Sequence, residues 1–279
     1  MRQHVEAPPL VLSGVTDQGV EISAMSWEAF LEWWRPTWRM GEHLYIAGQT
    51  GAGKTTTGIR LIEHMPFVAA LDAKGMDSSL SASGWPRVNK WLPSSVKRDV
   101  KDGVPVRIVL GGPNNNDTQF DALAALLKRS VKGIWGMGKW VAFADEGQIL
   151  ADNRYIGAGV DIEKLLIAAR DRGVSVVLGT QRPSVGQNAP TVIAAQQQAT
   201  WMIVSRTRDM RVHVRLGELA GRPPDEMGQL ISALPKYYWA IFGLDPFEPV
   251  RIFTPPPLPD VPVRERSKLS YLMWGYSEP

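Results

Sequence analysis

From residue 42 onward, short apolar runs alternate with stretches in which the apolar residues have the spacing of one face of a helix. The runs predict strands buried on both faces, and their alternation with helices predicts a mostly parallel central sheet with helices on both faces. The predicted strands are 43–47, 67–71, 105–110, 140–144, 174–179, 200–204 and 237–242. The predicted helices are 54–64, 118–131, 160–171, 189–196, 208–216 and one near 225–233. The pattern therefore predicts an α/β protein.

The two ends of the chain differ from this alternation. Residues 10–14 and 19–23 predict two short strands around a polar turn, and Ser26 is the predicted N-cap of a tryptophan-rich helix. The stretch TPPPLPDVP, which begins at Thr254, cannot belong to a sheet interior because proline has no N–H to donate. We expect three parts: a hairpin and helix packed on the core (1–39), the main domain (40–254), and a linker with a tail (255–279).

Composition narrows the class of protein. Of 279 residues, 44% are hydrophobic, which is enough for a packed core. The absence of cysteine excludes disulfides and thiolate metal sites, and it fits a cytoplasmic protein. No secretory signal and no membrane span are expected. The net charge of +3 permits nucleic-acid binding without arguing for it, and most of the 11 tryptophans are expected to pack rather than to stack on bases.

Residues 48–56, GQTGAGKTT, match the P-loop pattern and lie between a predicted strand and a predicted helix. Backbone N–H groups of such a loop face one anion, so the segment predicts binding of the phosphates of ATP. Lys54 would reach the β- and γ-phosphates, and Thr55 would hold Mg²⁺. The residues expected to bind the nucleotide are Gly48, Gln49, Thr50, Gly51, Ala52, Gly53, Lys54, Thr55 and Thr56.

Two adjacent carboxylates, Asp145 and Glu146, follow the predicted strand 140–144. Asp145 is placed to orient Mg²⁺ with Thr55, and Glu146 is placed to polarise the attacking water as a catalytic base. Alternatively, both acids solvate a loop, but the P-loop upstream favours the catalytic interpretation. The pair favours an ATPase that hydrolyses repeatedly, as a motor or remodelling enzyme does.

A polar group ends the apolar run 174–179, where the sequence continues as TQRPS. In P-loop ATPases with a catalytic glutamate, the strand after the acidic pair lies between the P-loop strand and the acidic strand. A side chain at its carboxyl end then points toward the γ-phosphate. Gln181 is the first candidate for this role and Thr180 the second, with Pro183 stopping the strand. A glutamine that merely caps a turn is the alternative.

Three stretches of the chain resemble the FtsK/HerA family of DNA-pumping ATPases. They are DIEKLLIAARDRGVSVVLGTQRPS (161–184), TWMIVSRTRDMRV (200–212) and LDAKGMD (71–77), the last with an Asp-x-Lys turn at Asp72 and Lys74. With the P-loop and the acidic pair, the resemblance covers roughly residues 42–245. It implies a RecA-like P-loop NTPase of the additional-strand, catalytic-glutamate type, and hexameric rings that translocate double-stranded DNA.

The resemblance also suggests roles for basic residues. Arg170 matches the family's arginine turn and is the expected trans-acting arginine, with Arg206 and Arg208 as competitors and a plain surface arginine as the alternative. DNA contacts are expected on two basic loops, 84–103 and 128–140, and on a third loop containing Arg154, although each could be a solvated face. The candidate cations are Arg87, Lys90, Lys97, Arg98, Lys101, Lys128, Arg129, Lys132 and Lys139.

These expectations combine into one leading hypothesis and two others. The leading hypothesis is an ATP-driven double-stranded DNA translocase that forms a homo-oligomeric ring. Since neither a membrane anchor nor a winged-helix tail is recognisable, it resembles a motor for genome packaging or DNA transfer, with a possible portal or transfer-complex partner, in the cytoplasm (the host's, if viral). The alternatives are a secretion ATPase moving protein and a nucleotide-dependent scaffold, which would not need Glu146.

Overall fold

The computed structural model describes residues 14–15, 21–113, 115–181, 190–245 and 248–258. Eleven strands lie in these ranges: β1 Gly14–Val15, β2 Glu21–Ala24, β3 His43–Ala47, β4 Phe67–Leu71, β5 Arg87–Val88, β6 Val106–Leu110, β7 Val141–Ala144, β8 Ser175–Thr180, β9 Ala199–Ser205, β10 Trp239–Gly243 and β11 Val250–Phe253. The predicted strand 10–14, most of the predicted tail and Pro183 lie mainly or wholly outside the described ranges.

The helices of the same ranges are α1 Trp27–Thr37, α2 Lys54–Ile62, α3 Ser78–Ser81, α4 Ser94–Lys101, α5 Asp117–Met137, α6 Gly147–Ala151, α7 Gly159–Ala168, α8 Pro190–Gln198, α9 Met210–Ala220 and α10 Pro224–Ala233. Ser26 caps α1, as predicted, because its side chain accepts a hydrogen bond from the Ala29 N–H. None of the helices in the described ranges is both long enough and apolar enough to cross a membrane.

All eleven strands belong to one sheet, in the order β1-β2-β11-β10-β9-β3-β8-β7-β4-β6-β5. The seven strands from β9 to β5 are parallel, and β10 is antiparallel to both of its neighbours. Since β8 lies between β3 and β7, the strand that ends in TQ separates the P-loop strand from the strand before the acidic pair. This confirms the predicted mostly parallel sheet of the additional-strand type.

The N-terminal segment extends this sheet. Strand β2 pairs in parallel with β11, with Ile22 opposite Val250, and β1 pairs with β2. The sequence pattern did not predict β11, which forms the bridge between β2 and the main domain. The sheet is therefore continuous from the N-terminal hairpin to β5.

Two hydrophobic clusters cover the faces of the sheet. One contains side chains of α1 and α2 and includes Phe30, Trp34 and Trp239, while the other contains side chains of α5 and α7–α10. Trp34, Trp38, Trp140 and Trp239 are among the largest fully buried side chains of the described residues. These tryptophans pack in the core, as predicted. Ligands of open α/β sheets bind at the carboxyl edge of the parallel strands, so the candidate site is sought there.

Candidate active site

The predicted P-loop lies between the end of β3 and the start of α2, at the carboxyl edge of the parallel strands. Gly53, the N-cap of α2, has a φ of 89°, a left-handed conformation that glycine adopts without a steric cost. Residues Gly48–Gly53 form the loop, and Lys54, Thr55 and Thr56 form the first turn of α2. Backbone N–H groups and the dipole at this helix end favour an anion.

Lys54, Thr55 and Asp145 meet at the base of this loop. The Thr55 hydroxyl donates a hydrogen bond to Asp145 Oδ2, and Lys54 Nζ lies 3.6 Å from Asp145 Oδ1. All three side chains are buried, and Asp145 follows the last residue of β7. The structure therefore brings together the three residues that the sequence placed around the phosphates and the metal.

The surroundings of Asp145 suit a divalent cation. Burial raises the pKa of its carboxyl group above the usual value, against the opposing effects of Lys54 and the Thr55 hydrogen bond. Its Oδ1 atom is buried and has no hydrogen-bond partner, although Lys54 is close. A hydroxyl oxygen and a carboxylate are ligands that Mg²⁺ accepts, so Thr55 and Asp145 fit the predicted metal site.

Glu146 and Gln181, the predicted base and its predicted neighbour, form the second part of the candidate site. Gln181 Nε2 donates to Glu146 Oε1 at 2.7 Å, and the Thr50 hydroxyl of the P-loop donates to Gln181 Oε1 at 2.8 Å. The Gly48 N–H donates to the carbonyl of Thr180 at 3.1 Å, which ties the loop to the end of β8. The Thr180 side chain is buried and bonds the Tyr45 hydroxyl, so Gln181, the first candidate, is the residue that reaches Glu146.

A close approach between β8 and β7 makes this contact possible. A Cβ atom at Gly179 would lie 2.6 Å from the carbonyl oxygen of Asp145, which no side chain tolerates. The apolar run of β8 is therefore interrupted by glycine at the point where its backbone passes the acidic pair. Gln181 then emerges beside Glu146, two residues further along the chain.

Lys74 also reaches the site, and sequence reasoning assigned it no role. Its Nζ lies 2.9 Å from Glu146 Oε1 and 3.5 Å from Asp77 Oδ2. Partial burial lowers the pKa of Lys74, but the bond to Glu146 and the charges of Glu146, Asp77 and Asp145 raise it on balance above its usual value. The only signal in the sequence was the Asp-x-Lys turn, whose contact with Glu146 depends on the sheet order.

The three candidate trans-acting arginines lie at two edges of the sheet. Arg170 begins a short 3₁₀ turn that leads into the start of β8, so it lies at the edge opposite the P-loop. Its guanidinium is exposed and makes long contacts with Gln198 O at 3.5 Å and Thr200 Oγ1 at 3.4 Å. Arg206 and Arg208 follow β9, are exposed, and lie at the P-loop edge. Arg170 is therefore remote from the P-loop of its own chain.

The predicted basic loops are partly helical. Segment 128–140 was predicted as a glycine loop, but α5 continues to Met137, so its cations Lys128, Arg129 and Lys132 are exposed on a helix. Within segment 84–103, α4 exposes Lys97, Arg98 and Lys101, and Lys90 and Lys139 are also exposed.

Two of the predicted DNA-binding arginines are paired with carboxylates. Arg87 is turned inward, with its Nη1 2.7 Å from the buried Asp72, and is unsuited to contact DNA. Arg154 is largely exposed, with its Nη2 2.6 Å from Asp152.

Sheet order and P-loop together give the chain a RecA-like P-loop fold of the additional-strand type. No protein-family model matches the sequence, and no curated protein matches it. The fold is similar to that of the genome packaging NTPase B204 of Sulfolobus turreted icosahedral virus 2. Its ATPγS complex has 18% identity, covers 78% of this chain and 98% of its own, and has a TM-score of 0.48. A KaiC-like protein from Pyrococcus horikoshii has 22% identity, coverages of 59% and 72%, and a TM-score of 0.34.

Proposed function

We propose that this chain is an ATPase that translocates double-stranded DNA as a ring of identical subunits. The observation that carries the enzymatic part is the hydrogen-bonded series Thr50–Gln181–Glu146, which joins the phosphate-binding loop to the candidate base. A protein that only binds nucleotide would not need a carboxylate held at this position. The series therefore supports hydrolysis over the scaffold alternative.

The proposed chemistry uses each of these residues. Lys54 neutralises charge on the β- and γ-phosphates, and Glu146 accepts a proton from the water that attacks the γ-phosphate. Gln181 donates a hydrogen bond to the Glu146 carboxylate and accepts one from the Thr50 hydroxyl. It therefore connects the candidate base to the phosphate-binding loop. Mg²⁺, held by Thr55 and by Asp145 directly or through water, would neutralise charge that develops on the phosphate oxygens.

The position of Arg170 supports an oligomer. An arginine at the edge opposite the P-loop cannot contact the nucleotide of its own chain, but a neighbouring subunit in a ring could present its P-loop to it. The adjacent helix α7 exposes Val160 (68%) and Ile167 (65%), two apolar side chains that a neighbour would cover. We therefore retain Arg170 as the proposed trans-acting arginine.

Mixing two inactive variants tests this role. Arg170→Ala and Lys54→Ala are each expected to lose most ATPase activity, Arg170→Ala by about 10³-fold or more as for other arginine fingers. In mixed rings, a Lys54→Ala subunit still supplies Arg170 to the intact P-loop of an Arg170→Ala neighbour, so the mixture should regain measurable activity. Arg206→Ala mixed in the same way is the matched control. Full activity of Arg170→Ala alone would contradict the assignment.

Exposed cations and the FtsK/HerA resemblance support double-stranded DNA as the cargo. Lys97, Arg98 and Lys101 lie together on α4, and such cations suit contacts to phosphates, which carry no sequence information. The cysteine-free composition suits the cytoplasm, where we place the proposed motor. A portal or transfer complex is the proposed partner.

DNA stimulation of the ATPase rate tests the cargo. We expect long linear duplex DNA to stimulate hydrolysis severalfold at low salt, and we expect the stimulation to fall as salt rises. Replacing Lys97, Arg98 and Lys101 by alanine should remove most of the stimulation. The slope of the logarithm of the binding constant against the logarithm of the salt concentration should decrease by up to about three, about one for each phosphate contact removed. The control replaces Arg35, Arg39 and Arg211, three exposed arginines outside the candidate DNA-binding segments, with the same loss of charge.

Equal rates with and without duplex DNA across the salt series would exclude a DNA translocase. If an unfolded polypeptide stimulated hydrolysis under those conditions, the secretion ATPase would be the better description.

A further inference from the structure

Tyr237 lies beside the phosphate-binding loop, and the proposed chemistry gives it no role. A Cβ atom at Gly53 would stand 3.8 Å from Tyr237 Cδ1, so the tyrosine ring borders the last glycine of the loop. Trp239, two residues later at the start of β10, packs against Gly48, where a Cβ atom would lie 2.8 Å from the tryptophan ring. The start of β10 therefore flanks the loop and holds Tyr237 where α2 begins.

The backbone of Tyr237 adopts a conformation that suits glycine better than tyrosine. Its φ is 69°, and in the described ranges only Leu92 and Lys139 share a positive φ among residues other than glycine. The Tyr238 N–H donates to the Pro235 carbonyl at 3.2 Å, which makes Tyr237 the third residue of a tight turn. Glycine or asparagine usually occupies that position when its φ is positive. A bulky side chain at a strained position points to a role for the side chain itself.

The turn presents the Tyr237 ring to solvent instead of packing it in the core. Tyr237 is 51% exposed, whereas the next two residues, Tyr238 and Trp239, are buried. The ammonium group of Lys236 lies over the ring, 4.7 Å from its centroid. A strained turn thus holds an exposed aromatic surface beside the phosphate site, and such a surface suits stacking on another planar ring.

A proline-rich segment, residues 254–258, runs from this turn to α2, and we call it the proline strap. It begins at Tyr237, whose carbonyl accepts a hydrogen bond from the Thr254 hydroxyl at 3.0 Å. It crosses α2 at Arg60, whose Nη2 donates to Pro257 O at 2.6 Å. The strap therefore borders the exposed face of α2, from the residue beside the phosphate-binding loop to the second turn of the helix.

This face of α2 has the length of a nucleoside site rather than of a phosphate site alone. Gly53 caps α2, and Thr56 and Arg60, one helical turn apart, are half-buried on the same face. The step from Gly53 to Arg60 corresponds to about 10 Å along the helix axis. The ring at one end and the strap at the other border a surface that the P-loop residues themselves do not fill.

The sheet order assigns the two ends of the nucleotide. The candidate base Glu146 follows β7, on one side of the P-loop strand β3, whereas Tyr237 precedes β10, on the other side. Because the γ-phosphate must face the candidate base, the nucleoside end points away from β7 and toward the start of β10. Tyr237 lies at that end.

We propose that the Tyr237 ring and the proline strap form the subsite for the base of the bound nucleotide, and that the ring stacks on this base. The ligand class is a purine, because two fused rings cover more of an aromatic surface than one ring does. Stacking does not read the edge of a base, so the subsite distinguishes purines from pyrimidines better than adenine from guanine. The proposal rests on the proposed function, since it assumes that the phosphate-binding loop holds the triphosphate of a substrate.

Equilibrium binding of ATP to Tyr237→Ala tests the stacking contact. We expect the affinity to fall about five- to hundredfold, the usual contribution of an aromatic side chain that stacks on a base. Tyr237→Phe keeps the ring and should bind ATP as the wild type does. Inorganic tripolyphosphate, which has no base, should bind equally to all three proteins. Leu244→Ala is the matched control, because Leu244 is 47% exposed and follows the opposite end of β10.

A comparison of nucleotides tests the ligand class. We expect the wild type to bind ATP and GTP more tightly than CTP and UTP, and Tyr237→Ala should lose most of this difference. The KM for ATP should rise with the dissociation constant in Tyr237→Ala, while kcat changes little, because the base is remote from the bond that breaks. Equal affinities of the wild type for all four nucleotides would overturn the assignment of a purine.

Tyr237→Gly separates a ligand contact from a structural role. Glycine adopts a positive φ without steric cost, so the nucleotide-free variant should unfold at a temperature no lower than that of the wild type. Its affinity for ATP should nevertheless fall as in Tyr237→Ala. If Tyr237→Gly instead loses thermal stability and binds ATP and tripolyphosphate equally weakly, the tyrosine is structural and the proposal is overturned.

Arg60→Ala tests the strap, because it removes the guanidinium that holds Pro257. We expect the affinity for ATP to fall less than in Tyr237→Ala, with an unchanged affinity for tripolyphosphate. Glu63→Gln is the matched control, since it removes the ion pair between Arg60 and Glu63 and leaves the contact with the strap in place. An affinity for ATP equal to that of the wild type in Arg60→Ala would remove the strap from the subsite.

Failure of the proposed function is distinguishable from failure of this proposal. If the wild type binds neither ATP nor tripolyphosphate, the loop is not a nucleotide site and the proposed function fails. If the wild type binds both, and Tyr237→Ala matches it for both, the base subsite alone is refuted.

Discussion

Glu146→Gln is expected to lower the rate of ATP hydrolysis by about 10²–10⁴-fold, the usual contribution of a general base, while ATP binding is retained. The amide has the volume of the carboxylate, and its oxygen can still accept from Gln181 Nε2 and Lys74 Nζ. What it cannot do is take a proton from the attacking water. The loss should therefore appear in kcat, with the dissociation constant for ATP changed little.

Single-turnover phosphate release and equilibrium binding of ATP, measured on the same preparation, separate these two effects. Glu163→Gln is the matched control, because Glu163 also accepts a side-chain hydrogen bond, from Thr191 at 2.8 Å, but lies on α7 outside the site. A Glu146→Gln variant that hydrolyses ATP within a few-fold of the wild type would remove Glu146 from the catalytic role. A variant that no longer binds ATP would instead assign it to nucleotide binding.

The core of this site could be predicted because each part is encoded locally. Residues 48–55 specify a phosphate-binding turn by themselves, and the pair Asp145–Glu146 follows directly on a buried strand. Only the relation between the two required the sheet order, and an acidic strand after a P-loop strand leaves few alternatives. Gln181 followed from the same topology, since parallel strands end at one edge.

The contacts of the cations could not be predicted in the same way. Arg87 occurs in a basic stretch, and composition alone suggested a solvent-facing residue. In the structure its guanidinium pairs with Asp72, whose side chain is only 1% exposed, because β5 places it beside the turn after β4. Lys74 reaches Glu146 because β7 is the neighbour of β4 in the sheet. Such pairs join residues that are far apart in the sequence, and the local sequence around each residue does not predict its partner.

Helix α5 shows how packing overrides a local signal. Glycines in the stretch KGIWGMG predicted a loop, yet the helix runs to Met137. Val131 and Ile134 continue the buried face, and a Cβ at Gly133 would lie 2.0 Å from Trp91 Nε1. This glycine makes room for the Trp91 ring rather than ending the helix. The cost of glycine in a helix, about 1 kcal/mol, is smaller than the gain from burying an aromatic ring.

Lys54→Ala is expected to lower the ATPase rate by at least about 10²–10³-fold, because the lysine contributes both to phosphate binding and to neutralising the charge of the transition state.

Lys54→Ala should also lower the stability of the nucleotide-free protein, since Asp145 would remain buried without the cation 3.6 Å away. Without Lys54 the pKa of Asp145, which burial already raises, rises further. A raised carboxyl pKa costs stability as pH increases through it, so the deficit should be smaller at pH 5 than at pH 8. Thermal unfolding at the two pH values, with Arg39→Ala, which removes an exposed cation after α1, as control, measures this difference. A deficit independent of pH would mean that Lys54 does not neutralise Asp145.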